Sequence, residues 1–192
     1  MPKLSEEEKT ARREHVLAGA RRCFARYGYD GATVVRLERE IGLSRGAIFN
    51  WFPTKEDLFI ELATRDRERL SRVWIEGGVE EIIRTLLEED PEWLGVYLGV
   101  AHRLRTDDAF RERWHGTPAQ KKLEREIVDR MRMQQAAGEL RADQDPEQIG
   151  SFVGVILDGL VMHRAAGFRP PVEVVLAFVR DALRPSAGAQ SP

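Results

Sequence analysis

The chain predicts an all-α protein with a helix-turn-helix at its N-terminal end, and three observations predict it. Apolar residues recur at three- and four-residue steps along most of the 192 residues, with no convincing alternating stretch and no internal repeat. Capping residues, glycines and prolines divide that pattern into short helices up to residue 52 and longer ones beyond. Charge is divided too: Lys and Arg outnumber Asp and Glu by ten to seven up to Phe52, and are outnumbered twenty to twenty-five from Pro53 on, within a net charge of −2. A basic end on an acidic protein suits a polyanionic partner for that end alone.

Composition narrows the class further. With 42% hydrophobic and 32% charged residues, the chain can bury a core and keep a solvated surface. Its single cysteine, Cys23, excludes a disulfide framework and a thiolate metal cluster. Its position among the core-facing residues of the first helix makes it a small buried hydrophobe. No apolar run approaches the roughly 18 residues needed to span a bilayer, and the N-terminus is polar and acidic. A cytoplasmic protein without membrane contact is expected.

Each element carries its own signal. Val16, Leu17, Ala20, Phe24 and Tyr27 form one face of a helix from Glu6, which Gly28 ends. Thr33 and Ser44 are N-cap types that open two short helices, separated by the turn Gly42-Leu43. Thr54 caps a charged helix to about Glu76 with the stripe Leu58, Phe59, Leu62, Leu70 and Val73, and Gly77-Gly78 interrupts it. Further helices are expected over about 79–89, 92–105, from 107, 119–137, 147–166 and 172–183, several behind Asp-Pro or Pro-Pro steps. The domains expected are residues 1–52 for the helix-turn-helix, 53–184 for a helical effector-binding and dimerisation domain, and 185–192 for a flexible tail.

The mechanism-bearing stretch runs from Thr33 to Lys55. Val34, Leu37 and Ile41 pack inward from its first helix, Leu43 fills the turn, and Ile48, Phe49 and Phe52 anchor its second. Arg45, Gly46 and Asn50 then face outward on a helix narrow enough for a major groove about 12 Å wide. Thr33 and Ser44 set hydroxyls and free amides at helix N-termini, where phosphate oxygens are attracted, and Arg36, Trp51 and Lys55 can clamp the backbone on either side.

The segments Cys23-Phe-Ala-Arg-Tyr-Gly-Tyr-Asp-Gly-Ala-Thr33, Ile41-Gly-Leu-Ser-Arg-Gly-Ala-Ile-Phe49 and Phe52-Pro-Thr-Lys-Glu-Asp-Leu58 resemble the TetR family of transcriptional regulators. The resemblance covers about residues 12–62. Where that family usually has Tyr-x-His-Phe, this chain has Phe49-Asn50-Trp51-Phe52, so the tyrosine hydroxyl is missing and the Trp51 N–H must replace the histidine. Leu104-Arg-Thr-Asp107, Phe110-Arg111, Trp114 and Leu157-Asp-Gly159 look like actinobacterial aconitase repressors of that family, which implies a tricarboxylate signal such as citrate.

The rest of the chain offers no catalytic arrangement. The four histidines form no i, i+4 pair and have no neighbouring cysteine, and no nucleophile elbow or phosphate-cradling loop is present, so no enzyme, metal site or cofactor is expected. His102, Arg103, Arg130, Asp158 and His163 lie in or beside otherwise apolar helices. Each either reaches the surface or pairs internally, or else orients an effector in a pocket; the effector expected is a small anion, with Asp158 neutralising a cation or joining a ligand carboxylate around a hard divalent ion. Gly150-x-x-x-Gly154 sits in a helix that is apolar on nearly every side, which is either buried within one subunit or packed on a symmetry mate. The second is preferred, because one short helix-turn-helix binds weakly alone.

These features describe a ligand-responsive repressor that binds a palindromic double-stranded DNA operator as a homodimer. The alternative is an architectural DNA-binding protein without an effector, which the acidic second part argues against.

Overall fold

Side-chain caps decide where the helices begin. In the computed structural model, which describes residues 5–115 and 117–185, Ser5 and Glu8 form a reciprocal capping box (3.1 and 2.8 Å) that opens α1 (Glu6–Gly31). Thr33 accepts from the Arg36 amide to open α2 (Val34–Ile41), and Ser44 from that of Ala47 to open α3 (Arg45–Phe49). Thr54 exchanges hydrogen bonds with Asp57 at the start of α4 (Lys55–Glu88). Asp90 caps α5 (Pro91–Thr106), and Asp107 accepts from the Phe110 amide in the first turn of α6 (Asp108–His115). Thr117 with Gln120 caps α7 (Pro118–Ala136), Asp145 caps α8 (Pro146–Ala165), and α9 (Val172–Leu183) starts after Pro171 without a side-chain cap. Among the described residues there is no strand, so the protein is all-α as expected.

Two expected breaks fall at the glycines that the sequence singles out. Gly28 (φ 68°) and Gly78 (φ 81°) adopt left-handed backbone, but the chain resumes a helical turn beyond each. Each of α1 and α4 is therefore two helical segments joined across a kink at its glycine.

The chain divides into two compact units. The first comprises residues up to Asp66 together with 90–115, and its core contains Phe24, Leu37, Ile48, Phe59, Trp93 and Phe110, each at most 1% exposed. The second comprises 67–89 and the described residues from 117 on, with Ile127, Met131, Ile149 and Val153 in one apolar cluster and Ile83, Leu160, Leu176 and Val179 in another. The boundary expected at residue 52 therefore falls inside the first unit. Pro53 is a local break, but Phe59 beyond it meets Tyr29 at 5.0 Å and Phe110 at 6.4 Å between ring centroids, and these aromatic contacts join α4 and α6 to α1. All of the expected tail except Pro185 lies outside the described residues.

Within the first unit, α1 fixes α2 by its carbonyl end. His15 Nε2 and the Ile41 carbonyl are 2.8 Å apart, and Arg22 donates to the Glu40 carbonyl at 3.0 Å. The helices approach so closely that a Cβ on Gly19 would sit 2.7 Å from Ile41 Cγ1 and 2.8 Å from its Cα. We expect Gly19→Ala to cost about 1–3 kcal/mol, the range for overpacking, because the added methyl meets Ile41 backbone as well as its side chain. Urea denaturation reads the stability, and unchanged stability with unchanged DNA binding would show that the contact is not tight in solution.

Candidate nucleic-acid interface

The helix-turn-helix presents polar side chains on an apolar base. Leu37, Ile41, Ile48 and Phe52 are buried, and Leu43, Phe49 and Trp51 pack partly against them. Thr33, Arg36, Ser44, Arg45, Gly46 and Asn50 are all exposed, while Trp51 and Lys55 are half-buried. All eight sequence-derived residues lie in the first unit. Arg45 extends along α3, its guanidinium carbon 6.0 Å from the centre of the Phe49 ring.

Several of these groups already have partners. Arg36 turns back to donate to the Gly31 carbonyl at 2.7 Å and lies 4.4 Å over the Tyr27 ring. Lys55 donates to the Tyr29 carbonyl at 2.9 Å and lies 4.4 Å over its ring, where burial lowers the ammonium pKa from its ordinary value. The amides expected to be free at the start of α3 are largely taken: Glu38 Oε1 accepts from Arg45 N at 2.7 Å and Ser44 Oγ accepts from Ala47 N at 3.4 Å. Sequence reasoning missed Glu38 because its contact spans seven residues across the turn, beyond any capping motif.

The sequence points Arg103 at an effector, but its geometry shows another use. It donates to Tyr29 Oη at 2.8 Å, Glu56 at 2.8 Å and Asp107 at 2.9 Å, and stacks 4.1 Å over Phe110. Burial opposes its charge, but the hydrogen bonds to Glu56 and Asp107 outweigh burial and raise its pKa. The Phe110 amide first, and Arg103 second, hold the Asp107 carboxyl below the ordinary range. Arg113 adds bonds to Glu56 and Asp57, so the start of α4 is tied to α5 and α6 through charged groups. His102 is exposed beside Arg105. Cys23 is fully buried, and burial pushes its thiol up to about 11, which removes it from thiolate chemistry.

The other expected effector residues fall in the second unit, so the five are not one cluster within either unit. Arg130 is half-buried on α7, and its buried Nε finds no hydrogen-bond acceptor among the described residues. His163 is exposed, with Nδ1 2.9 Å from the Gly159 carbonyl. Asp158 faces outward on α8, yet desolvation by its surroundings raises its carboxyl above the usual range. This unit contains a cleft of about 870 Å³ whose walls include Trp74, Lys121, Arg125, Ile127, Val128 and Ser151; Arg130, Asp158 and His163 are not on its walls.

Comparison with known proteins decides the family. Residues 16–62 match the bacterial regulatory proteins of the tetR family, and residues 66–185 match the C-terminal domain of BetI-type transcriptional repressors. The chain belongs to the TetR family. It is 39% identical over 189 residues to the HTH-type transcriptional repressor AcnR of Corynebacterium diphtheriae, covering 97% of this chain and 98% of that one. It is 41% identical to the HTH-type transcriptional repressor Rv1474c of Mycobacterium tuberculosis, covering 97% and 100%. Salmonella enterica GusR shares the fold with a TM-score of 0.72 at 20% identity, over 94% of this chain and all of that one. This TetR-family protein is a DNA-binding transcriptional repressor. Among its described residues no helix is long and apolar enough to cross a membrane.

Proposed function

We propose that this repressor binds a palindromic operator as a cytoplasmic homodimer, reading bases with α3, and that a small anionic effector bound by its C-terminal helices modulates DNA binding. The observation that carries the reading is the division of α3: Ile48 is fully buried while Arg45, Gly46 and Asn50 stand exposed on a helix seated against α2. Thr33, Arg36, Ser44, Trp51 and Lys55 surround them as backbone contacts; Arg36 and Lys55 exchange their internal carbonyl partners for phosphate on binding. A footprint on the DNA upstream of the protein's own gene tests this. A two-fold symmetric protected site is expected, and protection without sequence preference would overturn it.

The dimer reading rests on an open apolar face. Phe152, Val155 and Met162 of α8 are 45%, 72% and 56% exposed, and Val174 and Phe178 of α9 are 50% and 72% exposed. A Cβ on Gly150 or Gly154 would meet nothing within 4 Å, so the space beside these glycines is available to a partner helix. A side chain at Gly154 therefore starts into open space in an isolated subunit, and we expect Gly154→Leu to weaken dimerisation at least about tenfold without lowering the stability of the N-terminal unit. Sedimentation of the variant as an unchanged dimer would place the interface elsewhere.

The effector proposed is an anionic metabolite such as citrate, supported by the half-buried Arg130 with its unsatisfied Nε and by likeness to the AcnR repressors. His163 and Asp158 are proposed as further ligands on α8, Asp158 either neutralising a cation or sharing a divalent ion with the effector; His102 and Arg103 belong to the first unit, and Arg103 is left out because its donors are committed. Calorimetry with citrate, with and without Mg²⁺, tests this against Arg130→Ala. Heats absent from the wild type remove citrate, and heats unchanged in the variant remove Arg130.

A further inference from the structure

The recognition helix α3 has five residues, too few to be stable without outside support. Ile48 and the Ser44 cap hold one side of it, but the Ser44 hydroxyl reaches Ala47 N only at 3.4 Å. The tighter tether comes from outside the turn. Glu38, half-buried in the last turn of α2, accepts the backbone N–H of Arg45 at 2.7 Å, in the range of charge-assisted hydrogen bonds.

That contact has two physical consequences. It fixes the main chain of the residue whose side chain is proposed to read a base, and it fixes it to an element that is itself held. The Glu38 carbonyl accepts from Gly42 N at 2.8 Å, while α1 grips the neighbouring Glu40 and Ile41 carbonyls through Arg22 and His15. Position therefore passes from α1 to α2, through Glu38, to Arg45. The carboxylate also occupies the first amide of α3 with a negative charge, so a DNA phosphate that approached this amide would meet repulsion rather than a donor.

We propose that Glu38 is a positioning residue for base recognition: its carboxylate fixes Arg45 at the start of α3 and bars phosphate from that amide, so that Arg45 engages a base edge rather than the DNA backbone. A net anion in a DNA-facing element lowers affinity for every duplex, and the compensation is discrimination between them. This inference rests on the operator-binding reading above.

The test compares the full-length wild type, Glu38→Ala, Glu38→Gln and the double variant Glu38→Ala with Arg45→Ala. Each is titrated against a duplex selected by the wild type from random sequences and against its scrambled counterpart, over a range of salt, with thermal midpoints measured alongside. Glu38→Ala is expected to lose operator preference by about tenfold or more, with scrambled-duplex binding held or strengthened. Glu38→Gln keeps a carbonyl acceptor for Arg45 N and should retain the preference while binding both duplexes more tightly. In the Arg45→Ala background, the Glu38→Ala change should have no further effect on preference, and general destabilisation of the unit is read separately, as a lowered thermal midpoint with weakened binding to both duplexes. Wild-type preference in Glu38→Ala, equal losses in the Gln and Ala variants, or an undiminished effect in the double variant would each overturn the inference alone. A wild type that selects no sequence would overturn it together with the operator reading.

Discussion

Asp66→Ala is expected to destabilise the protein by about 3 kcal/mol, the lower end of the range for breaking a buried charge pair. Asp66 is only 7% exposed, near the middle of α4. Its carboxylate receives both bonds of a bidentate contact from Arg21 Nη1 at 2.9 Å, a bond from Trp93 Nε1 and one from Tyr97 Oη at 3.1 Å. The Arg21 guanidinium also lies 4.2 Å over the Trp93 ring, so one acid holds α1, α4 and α5 at a single point. Removing it leaves the indole N–H of Trp93, itself 1% exposed, without its acceptor, which alone costs about 1–3 kcal/mol. Arg21 retains access to solvent, a third of its side chain being exposed, and this keeps the total near the lower end. Asp66→Asn keeps one oxygen acceptor and should cost about half as much. Urea denaturation should show a lowered midpoint with an unchanged slope. A loss well under 1 kcal/mol in the alanine variant would show that water replaces the carboxylate's bonds.

Asp66 also marks a limit of what a sequence reveals. Helix starts were legible because Thr33, Ser44, Thr54, Asp90 and Asp145 carry their signal within three residues of the amide they cap. The inward and outward faces of the helix-turn-helix were legible for a related reason: Leu37, Ile41 and Ile48 repeat at helical spacing, so exposure of Arg45 and Asn50 follows from geometry. Contacts between distant residues carry no such periodicity. Arg21 and Asp66 are 45 positions apart, and Arg103 and Tyr29 are 74, so nothing in the local pattern distinguished Arg103 as a structural tie from a charge awaiting a ligand. The first compact unit runs past residue 52 for the same reason, since Pro53 breaks the backbone locally whereas Tyr29 and Phe59 join the two sides through space. Gly19 was silent as well, because a glycine inside a helix reads as a tolerated weakness until its neighbour Ile41 is seen.

Arg45→Ala is expected to abolish preference for the operator while leaving binding to scrambled DNA nearly intact. Arg45 is exposed at the first position of α3, its backbone is fixed by Glu38, and its side chain runs along the helix past Phe49. From that position a guanidinium can donate two parallel bonds to guanine O6 and N7, a contact that discriminates against a wrong base by about 1–3 kcal/mol, and by about twice that across the two half-sites of a dimer. Lys55→Ala is the matched control. Its ammonium is proposed to reach a phosphate, which carries no sequence information, so the variant should weaken binding to operator and scrambled duplex equally and flatten the salt dependence by about one unit for each phosphate no longer neutralised. Loss of the Tyr29 carbonyl bond also loosens the start of α4, so the thermal midpoint of the Lys55 variant has to be read beside its affinity. The two variants thus separate on the ratio of operator to scrambled binding rather than on affinity. If Arg45→Ala lowers both affinities by the same factor, Arg45 contacts the backbone, and base reading must pass to Asn50 and the remaining exposed surface of α3.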